Sequence, residues 1–249
     1  MKTTEAKEKA LLSLILPAHN EESRLPACLE KVKEYVTSVN FQIEVIVVEN
    51  GSHDRTYEIA QDFAKENSWL SVIQNEAPGK GRAVRTGMLA ASGEYRFFAD
   101  VDFSMPIDEI NNFLPPVRSD YDVAIGSREA KGAIRYNEPA FRHFTGRVFN
   151  TIVRLMTVRD IQDTQCGFKC FKAAAAEKLF SVQVLDGWAF DAEVLYIAQK
   201  NGMHIVEVPV RWNYDGQSKI NVIRDSIKMF KDLLQIRRNE KAGLYIFPE

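Results

Sequence analysis

Short, mostly apolar runs alternate with longer amphipathic stretches along the first hundred or so residues of the chain. Leu12 to Leu16 is the first run, ended by Pro17, and a segment apolar on both faces is what a strand buried inside a parallel sheet requires. The stretch Glu22 to Val39 repeats its apolar residues at helical spacing. The unit then recurs: Ile43 to Val48 predicts a second buried strand, Asp54 to Asn67 a helix, Leu70 to Ile73 a third strand, and Gly81 to Ala91 a helix with Ala and Met on its buried side. Tyr95 to Ala99 predicts a fourth strand, which delivers Asp100 and Asp102 at its end. Strand and helix alternating at this spacing imply an α/β fold with a mostly parallel sheet, helices on both faces and right-handed crossovers.

The second half is less regular. Asp122 to Gly126 predicts a strand, Pro139 to Val158 a long helix, and Gly167 to Phe171 a strand running into a helix over Ala173 to Phe180. Phe190 to Asn201 predicts a helix, His204 to Trp212 one strand, and Val222 to Arg238 a last amphipathic helix. The expected organisation is a polar tail over residues 1–10, one domain over 11–238, and a C-terminal tail over 239–249. Within the domain, residues 11–128 and 129–238 are expected to form two parts, the first regular and the second less so.

Composition narrows the function classes. With 32 Lys+Arg against 34 Asp+Glu the net charge is -2, so no global basic field calls for nucleic acid and any basic surface must be local. Met1 to Ala10 has no apolar signal core, and there is no run of roughly 18 apolar residues. The expectation is a cytoplasmic chain that neither is exported nor spans a bilayer. Cys28, Cys166 and Cys170 cannot all pair, and no His accompanies the last two, so reduced thiols are expected rather than a zinc site.

The chemistry is concentrated where predicted strands end, which is where open α/β sheets bind ligands. If the fourth strand continues through Asp102, alternation puts both carboxylates on one side and Val101 on the other. Such a pair suits a hard divalent ion that completes its shell with diphosphate oxygens; alternatively, it starts a turn before a helix expected from Pro106. The first strand is followed by Pro17-Ala18-His19-Asn20-Glu21-Glu22, where Asn20 also reads as a helix N-cap. The second is followed by Glu49-Asn50-Gly51-Ser52-His53-Asp54, in which Gly51 lets backbone approach a ligand and Glu49 can accept from a base or ribose; Ser52 or Asp54 can equally start the helix. A third loop, Pro78-Gly79-Lys80-Gly81-Arg82, joins glycines to two cations as phosphate loops do, without Walker spacing.

These strings, with Gly126-Ser127-Arg128, Asp163-Thr164-Gln165-Cys166-Gly167-Phe168-Lys169, Trp188-Ala189-Phe190-Asp191-Ala192-Glu193 and Gly216-Gln217-Ser218-Lys219, resemble those of inverting family 2 glycosyltransferases of the GT-A fold. Within that family the likeness is to dolichyl-phosphate glucose and mannose synthases, and the string from Asp163 to Phe171 is nearer the glucose branch. Two positions depart from the family pattern. Glu49-Asn50 stands where Asp-Asp is usual, which bears on base recognition, and Val101 stands where Ala is common.

The resemblance implies Mg²⁺ or Mn²⁺ on Asp100 and Asp102, with Lys80 and Arg128 neutralising the diphosphate of UDP-glucose or GDP-mannose. Pro17, Ala18, Asn20, Glu21, Glu49, Gly51 and Ser52 would line the nucleotide site. It further implies a polyprenyl or dolichyl phosphate acceptor. A phosphate has a second pKa of about 6 and needs no strong base, but it does need cations; Lys169, Arg211 and Lys219 are the candidates. A hydroxyl acceptor would need a base, which related hydroxyl-acceptor enzymes place at Asp191. Arg211 also reads as a surface strand residue paired with an acid.

The predicted helix from Pro139 bears on the acceptor. Phe141, Phe144, Val148, Ile152 and Leu155 recur at helical spacing, Arg142, Arg147 and Arg154 lie elsewhere, and no acid intervenes between Glu138 and Asp160. A basic amphipathic helix of this kind can lie in an anionic membrane surface, or it can simply cover a core. Val222 to Arg238 offers a second such stripe. Peripheral attachment to the cytoplasmic face of a membrane is expected, with a membrane-anchoring subunit or a homo-oligomer left open. The competing functions are a glycosyltransferase with a hydroxyl acceptor and a non-catalytic nucleotide-sugar-binding subunit of a membrane complex.

Overall fold

The computed structural model describes residues 10–214 and 222–247. Its strands are β1 Leu12–Ala18, β2 Ile43–Asn50, β3 Leu70–Asn75, β4 Tyr95–Ala99, β5 Val123–Ser127, β6 Ile134–Tyr136, β7 Phe168–Lys172, β8 Ile205–Pro209 and β9 Arg211–Asn213. The helices are α1 Leu25–Ser38, α2 Thr56–Glu66, α3 Lys80–Ala90, α4 Ala140–Met156, α5 Ala173–Val182, α6 Phe190–Lys200 and α7 Val222–Lys241, and a 3-10 turn covers Ile107–Phe113.

Seven strands form one sheet in the order β3-β2-β1-β4-β7-β5-β8. All neighbours are parallel except β7, which lies antiparallel to both β4 and β5. β1 pairs with β2 on one side and with β4 on the other, so chain order reverses at β1 and a crevice opens beyond its carboxyl end. Both faces of the sheet are covered, which is why β2 is buried along almost its whole length. One face packs on α1, whose Leu25, Cys28, Leu29, Val32 and Tyr35 form its buried stripe. The other carries α3, α5 and α6. The helix α6 is buried from Phe190 through Ala198, so the two carboxylates in its first turn, Asp191 and Glu193, are forced inside.

Several expectations are corrected. The single strand expected over His204 to Trp212 is two, broken at Val210, because β8 closes the large sheet while β9 pairs with the unanticipated β6. The Asp100-Val101-Asp102 string is a turn just past β4 rather than a strand; the Phe103 N–H returns to the Asp100 carbonyl at 3.2 Å, and Phe103 takes φ 42°. Val101 is nonetheless buried, in the core cluster that includes the α1 stripe. The helix expected from Pro106 is the 3-10 turn. The segment after residue 239 is no loose tail: Asn239 and Tyr245 are buried, and the Asn239 Nδ2 donates to the Tyr245 hydroxyl at 3.1 Å.

Three aromatic rings hold the 3-10 turn against the sheet. Phe97 of β4, Phe113 of the turn and Phe168 of β7 meet edge to face, with centroids 4.5–5.5 Å apart, and none is accessible to solvent. Truncating Phe113 to Ala removes one of three mutually packed rings and leaves a cavity. Phe113→Ala is expected to lower the unfolding free energy by about 3–5 kcal/mol in urea denaturation.

Candidate active site

The crevice at the strand ends is bounded by the loops after β1, β2 and β4, the N-termini of α3 and α6, and the start of β7. The first two loops are laced to each other. The Asn20 N–H donates to Ser52 Oγ at 3.0 Å, the His53 N–H to Asn20 Oδ1 at 2.8 Å, and the Glu22 N–H to Asp54 Oδ2 at 3.1 Å. Asn20 is therefore a bridge between loops and not the expected N-cap; α1 starts after Arg24, and Asn20 accommodates φ 53° as few non-glycine residues do. Neither does Ser52 or Asp54 occupy the N-cap position of α2, which is Arg55. The buried Glu49 accepts the Ser52 N–H at 2.5 Å, and Glu21 is held by Arg24 at 2.6 Å. Pro17 and Ala18 close β1, and Gly51 turns the chain with φ +67°. These polar residues shape one rim of the crevice.

Charge accumulates at the centre. Lys80, first residue of α3, places Nζ 2.6 Å from Asp100 Oδ1 and 5.0 Å from the centroid of the Trp188 ring. Lys169 on β7 is buried with its partner: Nζ lies 2.5 Å from Asp191 Oδ1 and donates to the Cys166 carbonyl at 2.6 Å. The two pairs feel each other. Burial pulls the Lys80 ammonium down, but Asp100, Asp191 and Asp102 outweigh it and hold its pKa above the ordinary lysine value. Burial pushes the Asp191 carboxyl up, against the pull of Lys169 and Lys80. Burial and then the neighbouring Asp100 charge push Asp102 up as well. Three carboxylates thus face two ammonium groups, a cluster short of one positive charge.

Gly167 makes this geometry possible. Its carbonyl accepts the Asp100 N–H at 3.1 Å, and a Cβ at this position would stand 2.0 Å from Asp100 Oδ2. The sequence places Gly167 in a motif but carries no signal of this close approach, because the contact joins the residue before β7 to a turn far away in the chain.

Arg128 and Arg211 are already neutralised. Arg128 grips the buried Asp163 through Nε at 2.6 Å and Nη2 at 2.8 Å, and its own N–H donates to the same carboxylate at 3.0 Å. Burial would raise the Asp163 pKa, but Arg128 overcomes it and holds the carboxyl below the ordinary value. Arg211 pairs with Glu109 and, at 2.7 Å, with Asp108 on the 3-10 turn, the acid-paired surface arrangement that the sequence left open. Lys219 and Ser218 lie outside the described residues. All three cysteines are free and buried, and burial pushes Cys166 up to about 12, so no reactive thiol enters the site.

A support layer behind Lys80 was not legible in the sequence. The Glu193 carboxylate accepts the N–H groups of Val184 at 3.1 Å and Leu185 at 2.8 Å, together with the Tyr245 hydroxyl at 2.7 Å. The loop so fixed braces α3: the Asp186 carbonyl accepts the Gly81 N–H at 2.8 Å, and the Asp186 carboxylate accepts from Arg82 at 2.5 Å. Arg82 thereby braces this loop.

Among the described residues, no group of three or more His, Cys, Asp or Glu side chains could enclose a metal ion. Asp100 and Asp102 can still share one. Mg²⁺ is commonly held by one or two carboxylates plus substrate phosphates, and the charge deficit of the cluster suits a cation there.

The chain matches the model of Glycosyl transferase family 2 over residues 13–180. It is 36% identical to a dolichyl-phosphate beta-glucosyltransferase of Trichomonas vaginalis over 245 residues, covering 94% of this chain and 72% of that protein. The enzyme of the same name from Drosophila melanogaster is 37% identical, with 90% and 74% covered, and that from Saccharomyces cerevisiae 31%, with 96% and 77% covered. Among solved structures, glucosyl-3-phosphoglycerate synthase from Mycobacterium tuberculosis in complex with Mn²⁺, UDP and glucosyl-3-phosphoglycerate superposes with TM-score 0.65 at 17% identity, covering 91% of this chain and 80% of that one. The same protein with Mg²⁺ and UDP gives 0.65 at 19% identity, with 91% and 79% covered. Likeness at that identity carries the GT-A fold, whereas the family match spans more than half of the chain: it belongs to glycosyltransferase family 2.

Proposed function

We propose that the protein transfers glucose, with inversion, from UDP-glucose to the phosphate of a dolichyl or polyprenyl lipid. The reading rests on one observation: Asp191, at the position where hydroxyl-acceptor relatives carry their base, is buried and ion-paired with Lys169. A carboxylate so held is not presented to an acceptor hydroxyl, and a dianionic phosphate does not need it. The dolichyl-phosphate relatives and the UDP-bound neighbours support the same donor and acceptor.

In this reading, Asp100 and Asp102 hold Mg²⁺ or Mn²⁺, which when bound supplies Lewis-acid stabilisation to the departing diphosphate. Lys80, at the positive end of α3 and paired with Asp100, would add positive charge toward the diphosphate. The laced loops after β1 and β2 hold the nucleoside through Pro17, Ala18, Asn20, Glu21, Glu49, Gly51 and Ser52. Lys169 attracts the acceptor phosphate, with Lys219 and Arg211 as further candidates, and Asp191 fixes the Lys169 ammonium in place. Arg128 acts at one remove, by fixing the 163–167 turn through Asp163. An oxygen of the acceptor phosphate bonds to the anomeric carbon as the bond from that carbon to the diphosphate breaks. The nucleoside diphosphate leaves with the electron pair, and no proton has to be removed from the acceptor dianion.

The lipid acceptor implies a membrane surface. No helix among the described residues is long and apolar enough to cross a bilayer. On α4, Phe141 is 78% and Leu155 83% exposed, and on α7 Phe230 and Leu234 are exposed beside Lys231. Exposed apolar side chains flanked by cations suit adsorption to the cytoplasmic leaflet.

Incubating the purified chain and Mg²⁺ with UDP-glucose or GDP-mannose, and with a short polyprenyl phosphate or the matching polyprenol, tests the reading. Lipid-phase product is expected from UDP-glucose and the phosphate, and transfer to the alcohol alone would reject it. Asp102→Asn is expected to reduce turnover by about 100-fold or more, because several kcal/mol of leaving-group stabilisation are lost. In thermal melts, UDP with Mn²⁺ should stabilise the parent protein but not this variant. Asp191→Asn leaves a buried ammonium unpaired and should lower the unfolding free energy by about 3–5 kcal/mol, whereas Lys169→Met combined with it should recover part of that loss in a double-mutant cycle. Phe141→Ser with Phe230→Ser should reduce co-sedimentation with vesicles while leaving transfer to a detergent-dispersed acceptor intact.

A further inference from the structure

A second cavity lies at the far end of α6. Asp191, in the first turn, faces the strand ends; Lys200, nine residues on and about 13 Å away along the axis, faces a cavity of ≈ 200 Å³ enclosed by the end of α4, α6 and α7. Its lining includes Arg154, Arg159, Lys200 and Arg237, together with Tyr196 and Gln199, and it contains no acidic residue.

One wall is already organised by the neighbouring Glu240. That carboxylate bonds to the Tyr196 hydroxyl and to Lys200, and lies 3.6 Å from Arg237, whose Nη1 donates to the Tyr196 hydroxyl at 3.0 Å and whose guanidinium sits 5.5 Å from the ring centroid. The opposite wall is different. Arg154 and Arg159 are exposed, and neither has an acidic partner among the described residues. Four cations against one carboxylate leave a net surplus of three positive charges around a small space.

Helix ends do not account for this. A cation is favourable at a helix C-terminus, which explains Arg154 in the last turn of α4 and Lys200 in the last turn of α6. It does not explain Arg159, which lies beyond α4, or Arg237, which lies within α7. The Val153 carbonyl near the end of α4 is moreover taken by the Thr157 N–H at 2.8 Å and the Thr157 hydroxyl at 2.7 Å.

We propose that this cavity is an anion site for a phosphate ester, separate from the transfer site. Two unpaired guanidinium groups facing a prearranged Arg–Tyr–Lys wall match the fork geometry by which arginine binds phosphate oxygens. The volume is below the about 300–1,000 Å³ of sites for whole organic ligands and fits a phosphate-sized group. Leu155, itself part of the lining, is 83% exposed, so an apolar flank borders the charged floor as a lipid headgroup with its chain would require. The phosphate can belong to an anionic phospholipid or be free in solution. The inference does not rest on the reaction proposed above.

Two probes separate these sources: inorganic phosphate titrated into the full chain by calorimetry, and co-sedimentation with phosphatidylcholine vesicles with or without phosphatidic acid. Arg154→Gln/Arg159→Gln removes the unpaired wall, and Lys31→Gln/Lys65→Gln, on α1 and α2 across the sheet from the cavity, removes the same charge. Binding of either probe is expected to fall by about tenfold or more in the cavity variant and by less than about twofold in the control, since each cation near an anionic surface contributes of order a factor of five. Glucose transfer in detergent should be unchanged in both. Saturable phosphate binding makes the ligand a free anion, and binding only to phosphatidic acid vesicles makes it a headgroup; each supports the site. No binding to either probe, or equal losses in the two variants, overturns it.

Discussion

The site is organised around the ion pair of Lys169 and Asp191, one of them on a strand that runs against its neighbours and the other in the first turn of a helix buried on every side. Neither group would be tolerated there alone, because an isolated charge in such surroundings is costly and removing one partner leaves the other uncompensated. Together they connect α6 to the centre of the sheet, and Asp191 helps to hold the Lys80 ammonium charged. The antiparallel insertion of β7 matters for the same reason. It brings Gly167 and Lys169 to the strand ends from the opposite direction, so that the turn after β4 meets a backbone with no side chain in the way.

Around that pair, the remaining polar residues divide into those that can face a substrate and those that hold the scaffold. Asp100, Asp102 and Lys80 belong to the first group. Arg128 with Asp163, Arg82 with Asp186, and Glu193 with Tyr245 belong to the second, since each pair joins segments that support the charged cluster from outside it. The chain segment after α6 participates through Tyr245, whose hydroxyl reaches Glu193 and, through it, the loop behind Lys80. Donor-side geometry therefore depends on residues at both ends of the described chain.

Much of this was legible beforehand because parallel strands and their helices write strong local patterns. The buried runs of β1, β2 and β4 and the stripe of α1 follow from periodicity alone, and polar residues at strand ends marked the crevice. What was missed is non-local. That Asn20 bridges to Ser52 and His53 instead of capping α1 depends on two loops meeting; that β8 and β9 belong to different sheets depends on which neighbours Ile205 and Arg211 find. The particular acids that pair with Arg128 and Arg211 were not legible either, because a sequence shows the cation and not the acid folded against it. Gly167 is the clearest case, since only three-dimensional proximity shows what a methyl group would strike.

The central claim is that the acceptor supplies its own negative charge and that the protein supplies no base. It is tested most directly by single-turnover glucose transfer as a function of pH, with a polyprenyl phosphate and with a phosphonate analogue whose second ionisation lies at a higher pH. The account predicts a rate that rises through about pH 6 with the phosphate, levels off, and moves upward in pH with the analogue. A profile that stays in place when the acceptor's ionisation moves would put the controlling base on the protein, with Asp191 the first candidate, and would contradict it.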